Sequence, residues 1–255
     1  MRRKGLVTFS IAVASALSTI TSGAFAQAVV VRSTGPSAAS YPKGKRLPAN
    51  AQVVLKAGDV VTVLDKAGTR VLKGVGTFTL DNAVNRDRSA AALLARSLSN
   101  PASVRAGAVR GAGDTSGENV LPVSIWLADT SEGGNVCVPR GSDLYLWREE
   151  AKARSFTWLT ESAGGEMVRM QWPPKTVGIA WPKTMLAPQE GRTYRIYDET
   201  APDKAAEFRI VMLEPEDVPA DAASLGTLLL DNGCKAQFDW LAATLAEPDI
   251  QEQHP

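Results

Sequence analysis

The stretch LKAGDVVTVLDKAGTRVLKGVGTFTL, Leu55 to Leu80, decides the fold. Val60 to Leu64, Thr69 to Leu72 and Thr77 to Leu80 are short runs rich in β-formers, and Ala51 to Leu55 precedes them. Three turn signals separate the runs: Lys56-Ala57-Gly58-Asp59, Asp65-Lys66-Ala67-Gly68 and Lys73-Gly74-Val75-Gly76. Short strands punctuated in this way predict hairpins in a small sandwich or barrel. No helix of crossover length fits between them, so a parallel βαβ unit is not expected. Gly74-Val75-Gly76 invites a phosphate-loop reading, but the third glycine position holds Thr79 and another strand follows. A phosphate loop needs a helix N-terminus at that point. Turn geometry is the better account of these glycines.

Working outward, Val29 to Arg32 is a β-branched run, and Ser33 to Asn50 is an extended loop rich in Ser, Pro, Gly and Lys. Arg86 to Leu98 carries a helical pattern closed by Asn100-Pro101, and Ala106 to Gly117 is a Gly/Ala-rich linker. A second β-region follows. Its candidate strands are Val123 to Leu127, Asn135 to Val138, Asp143 to Trp147, Ser155 to Thr160, Met167 to Trp172, Val177 to Trp181, Thr193 to Tyr197 and Glu207 to Leu213. That density of short strands predicts an immunoglobulin-like sandwich. Pro219 to Leu230 and Lys235 to Leu245 are two short helices broken at Asp231-Asn232-Gly233. The expected fold is therefore mainly β. A small N-terminal β-hairpin domain (27–82) leads through a helix and linker (83–120) to an Ig-like β-sandwich (121–215), with a C-terminal helical pair and tail (216–255).

The N-terminus predicts export. Arg2, Arg3 and Lys4 form a positive region, Leu6 to Ile20 is mostly apolar, and Ala24-Phe25-Ala26 is a small-x-small cleavage site. Together they make a signal peptide over residues 1–26. The apolar run is shorter than the roughly 20 residues of a spanning helix. No later run is long enough to cross a bilayer, so no membrane span is expected after cleavage. Removing the three basic leader residues from 28 Lys+Arg leaves 25 against 27 Asp+Glu. That balance argues against a nucleic-acid partner. The expected compartment is the periplasm or the exterior, where Cys137 and Cys234 are expected to pair. The alternative, a reactive thiol, lacks a nearby base, because the single histidine is His254.

The search for chemistry returns few candidates. His254, one residue from the C-terminus, is badly placed for a catalytic triad. No His/Cys cluster suggests zinc, and no cofactor is expected. Ser40-Tyr41-Pro42-Lys43 has a Ser-x-x-Lys spacing, but that motif works on a helix and Pro42 spoils it. Glu149-Glu150, Glu161, Glu166 and Asp198-Glu199 are the carboxylates available for a glycosidase pair. Trp172 and Trp181 each precede a proline at a strand end. Such rings either fill a sandwich core or stand exposed as ligand-contact aromatics.

LKAGDVVTVLDKAGTRVLKGVGTFTL resembles the β-rich periplasmic domain of FecR-type proteins, which repeats short strands around Gly-Asp turns. The stretch from SFTWLT to GRTYRIYD resembles the Ig-like domain that often follows it, through Phe156-Thr157-Trp158 and Leu186 with Gly191-Arg192-Thr193-Tyr194. The resemblance implies a non-catalytic module that binds an envelope protein such as a membrane sensor. FecR-type proteins relay signals across the inner membrane, whereas for this chain a cleavable leader and no anchor are expected. The competing expectation is a cell-wall or polysaccharide binder, extending to carboxylate-dependent glycan hydrolysis.

Overall fold

The computed structural model describes residues 28–66, 68–80, 92–95, 98, 124–148 and 153–246. The expected signal peptide, most of the linker, Glu149-Glu150 and His254 lie outside the described residues. The chain is mainly β. Its first unit holds β1 (Ala28–Thr34), β2 (Arg46–Leu47), β3 (Gln52–Leu55), β4 (Val60–Asp65), β5 (Thr69–Lys73) and β6 (Gly76–Thr79). They form a four-stranded sheet, order β2-β1-β4-β5, and a two-stranded sheet, β3-β6. Of the three expected hairpin turns, only the one at Gly68 joins strands paired to each other, β4 and β5. The turns at Gly58 and Gly74 pass the chain from one sheet to the other. Strand positions were readable from local composition, but pairing is non-local, and β3 finds its partner beyond β4 and β5.

The run VVTVLD explains the exchange. Every residue of β4 from Val61 to Asp65 is buried, as in a strand covered on both faces. Val61 and Val63 enter a core with Val30, Val53 and Leu72. Leu64 joins Val29 in a different core, against the C-terminal helices. Gly74 and Gly76 have φ of 93° and 154°, and a side chain at Gly74 would meet nothing within 4 Å. They are there for backbone conformation, not to admit a ligand.

Asp59, in the first of these turns, is 1% exposed. Its carboxylate accepts the Ser37 N–H at 2.8 Å and the Lys56 N–H at 2.6 Å, pinning the connection between β1 and β2 to the turn. The expected Ser33–Asn50 loop is thus shorter than its composition suggests, because Ser33 and Thr34 extend β1 and Arg46–Leu47 pairs with it as β2. Burial pushes its pKa up, but the hydrogen bonds from Ser37 and Lys56 outweigh it and hold the group below its ordinary 3.8. A depressed carboxyl stabilises the fold above the unfolded-state pKa, and that stability is lost as pH falls through the folded value. Asp59→Asn should therefore flatten the acid limb of a melting-temperature profile below about pH 4. An unchanged limb would remove Asp59 from the acid response.

The second unit is a sandwich. Its five-stranded sheet has the order β11-β10-β13-β14-β8 and its three-stranded sheet β12-β9-β7. The strands are β7 (Leu127–Asp129), β8 (Gly134–Pro139), β9 (Tyr145–Trp147), β10 (Ser155–Glu161), β11 (Met167–Trp172), β12 (Gly178–Ala180), β13 (Thr193–Asp198) and β14 (Ala201–Leu213). Two pairs are parallel, β8 with β14 and β7 with β9. Ala128, Leu146, Leu159, Met170, Ile196 and Phe208 belong to one core between the sheets. The Tyr194 hydroxyl donates to Ala187 O and accepts the Gln189 N–H, both at 3.0 Å. This is the corner bond by which immunoglobulin-like sandwiches anchor that strand.

A third core welds the units together. Helices α1 (Ala222–Asp231) and α2 (Lys235–Thr244) place Leu225, Leu229, Phe238 and Leu241 against Val29 and Leu64 of the first unit and Cys137 and Leu213 of the second. Leu94, within the helical residues 92–95, joins them. Asp221 caps α1 by accepting the Ser224 N–H, and Gly233, at φ 73°, ends it in the expected Asn-Gly turn. The helix packs so closely that a Cβ on Gly226 would lie 2.8 Å from Leu64 Cδ2 and 3.1 Å from Phe238 Cε2. Ion pairs from Lys43 to Asp239 and Arg46 to Asp231 also cross this junction, but their side chains are about half exposed. Such pairs contribute about 0–1 kcal/mol, so the junction rests on its apolar core.

Candidate functional site

The sequence candidates scatter. Trp172 is fully buried, its indole N–H donating to Thr157 Oγ1 at 3.0 Å. Trp181 is 4% exposed; it packs edge-on to Tyr194 and Phe208, and its N–H donates to Leu186 O. Both rings fill the sandwich core, so neither offers a face to a ligand. Lys43 of the Ser-x-x-Lys spacing reaches away to Asp239 at 2.7 Å. Glu161 pairs with Arg192 at 3.0 Å, and Asp198 accepts the Thr200 N–H and hydroxyl. Among the described residues, no group of three or more His, Cys, Asp or Glu converges as a metal site. Nor, among them, is any helix long and apolar enough to cross a membrane. Cys137 and Cys234 are joined, with Cα atoms 5.9 Å apart, and both lie fully buried in the junction core.

Functional chemistry gathers instead on the outward face of the five-stranded sheet. Strand alternation puts Leu159, Val168, Met170 and Trp172 inside, and leaves Phe156, Trp158, Met167, Arg169 and Gln171 on the other side. Pairing sets Arg169 opposite Trp158, and Trp158 opposite Tyr197. A row of Arg, Trp and Tyr therefore crosses β11, β10 and β13. The Arg169 guanidinium lies 3.7 Å over the Phe156 ring, and Arg195 lies 5.2 Å from the Tyr197 ring centre. Met167 is 53% exposed, and its sulfur accepts the Tyr197 hydroxyl at 3.2 Å.

Glu199, in the turn after β13, organises this face. It takes Arg169 Nε at 2.9 Å and Nη2 at 2.7 Å, the two-pronged geometry that fixes a guanidinium plane. Arg169, with help from Trp158, holds the Glu199 carboxyl below its ordinary range, the opposite of what a general acid needs. The side chains of this face are thus ordered before any partner arrives.

The sequence pattern MVRMQW contained the signal for this arrangement. Val168, Met170 and Trp172 alternate with Met167, Arg169 and Gln171, which places Trp172 with the apolar set and turns the opposite parity outward. Comparison of the chain with protein-family models and with curated proteins returned no match.

Proposed function

We propose that the chain is an exported, non-catalytic protein-binding module of the cell envelope, periplasmic or secreted, and that it docks its partner on the outward face of β10, β11 and β13. The observation that carries this reading is the ordered set Phe156, Trp158, Arg169 and Tyr197, with Met167 at its margin. Trp, Tyr, Arg and Met are the residues enriched where proteins bind one another, and Trp, Tyr and Arg supply most binding hot spots. Ordering them in advance lowers the entropy cost of association. The leader sequence and the joined cysteines support an oxidising compartment. The FecR-type resemblance makes the extracytoplasmic part of a membrane sensor the first partner to test. The polysaccharide alternative rested on Trp172 and Trp181; with both rings in the core, it is not carried further.

The test is affinity purification from envelope extract with the native chain, Trp158→Ala and Arg195→Ala. The native chain should recover a discrete partner, and Trp158→Ala should weaken it by at least about tenfold, as for a central interface aromatic. Equal recovery by all three chains, at matched melting temperature, would move the interface elsewhere.

A further inference from the structure

The five-stranded sheet has two edges, and the fold treats them differently. The β8 edge is covered. Asn135 Nδ2 donates to Asn232 O at 2.7 Å. Gln237 takes both the N–H and the C=O of Cys137, each at 2.7 Å. No such cover lies along β11 among the described residues. Its hydrogen-bonding phase follows from its neighbours. The Glu199 N–H donates to Phe156 O at 2.9 Å, and the Ser162 N–H to Thr193 O at 2.8 Å. The backbone groups of Phe156, Trp158 and Thr160 therefore point toward β13, and those of Thr157 and Leu159 point toward Met170 and Val168 of β11. Alternation then turns the N–H and C=O groups of Met167, Arg169 and Gln171 to the open side.

We infer that this edge binds an extended segment of the partner protein as an added sixth strand; the inference rests on the protein-binding reading above and specifies its mode. Natural sheets usually blunt such edges with bulges, prolines or outward charge. β11 pairs with β10 through six residues without a register shift, and its one charged side chain, Arg169, folds back over Phe156. Main-chain bonds to the open groups supply affinity, and alternate side chains supply selection. On the outer face the incoming strand continues the row Tyr197–Trp158–Arg169, so the residue across from Arg169 is acidic. Arg195, on the same face, stands directly across from Glu207, so the cation that bears on this edge is Arg169. The flanking positions, beside Val168 and Met170, are apolar. A second copy of this chain is the poorer occupant, because full overlap of two β11 strands sets Arg169 against Arg169.

The test uses the full chain and a displayed library of random ten-residue peptides. Selected peptides should alternate apolar and polar residues around an acid, and should shift and protect the amide protons of Met167, Arg169 and Gln171. Gln171→Pro removes one open N–H and leaves the bonds to β10 in place. It should weaken binding about tenfold or more at an unchanged melting temperature. Undiminished binding by Gln171→Pro overturns strand addition. If Trp158→Ala still abolishes that binding, the face remains the docking surface and only the mode is wrong. A library yielding no binder at this edge also overturns the inference, as does a dimer of the free chain that Gln171→Pro dissociates.

Discussion

Gln237→Leu should cost about 3–9 kcal/mol of folding stability, from three buried backbone groups at about 1–3 kcal/mol each. Gln237 is 1% exposed at the centre of the junction. Its Oε1 accepts the Cys137 N–H at 2.7 Å, and its Nε2 donates to Cys137 O at 2.7 Å and Ile125 O at 2.6 Å. One side-chain amide thus acts as a substitute strand along β8. Leucine keeps the volume and leaves all three backbone groups without a partner. Whole-domain stabilities are about 5–15 kcal/mol, so the loss should be plain in a urea titration of the oxidised protein. Gln237→Glu is no rescue, because it keeps the acceptor and loses both donated bonds. A loss below about 1 kcal/mol would mean that these groups find other partners.

The second large effect belongs to the disulfide. Cys137 and Cys234 are 97 residues apart in sequence, and cross-linking a loop of that length stabilises by roughly 4–5 kcal/mol in the chain-entropy model. Cys137→Ala with Cys234→Ala should lower the urea midpoint accordingly, and reduction of the native chain should do the same. Gln237 and the disulfide hold the same residue of β8, so the losses should not add. The triple variant should fall short of the sum by more than the few tenths of a kcal/mol expected of independent sites. Simple additivity would show that the two restraints act separately.

Much of this fold was legible in the sequence because strand identity is local. β-formers and turn glycines placed most strands of both units within a few residues, and Asn232-Gly233 placed the break between the helices, but β2 falls inside the expected Ser33–Asn50 loop and β14 begins at Ala201 rather than Glu207. Sheet membership was not legible, since β3 and β6 pair across an intervening hairpin. Nor was the third core, which gathers Val29, Leu64, Cys137 and Phe238 from widely separated segments. The fully buried run of β4 was the one local hint of a second cover. At the candidate site, the Trp-Pro dipeptides drew attention to Trp172 and Trp181, which are interior. Phe156 and Trp158 stand out in the sequence only through the family pattern. Their role depends on register: pairing with β11 and β13 brings Arg169 and Tyr197 alongside, and Glu199 locks the set.

The central claim, that the outward face of β10, β11 and β13 is the docking surface, is tested most directly by site-specific photo-cross-linking in the intact envelope. A photoreactive residue at position 160 sits in the row between Met167 and Arg195. One at position 75 replaces Val75, 75% exposed in the first unit. The expected result is one discrete adduct from position 160, lost with Trp158→Ala, and none from position 75. Adducts from position 75 alone, or from neither position, would contradict it.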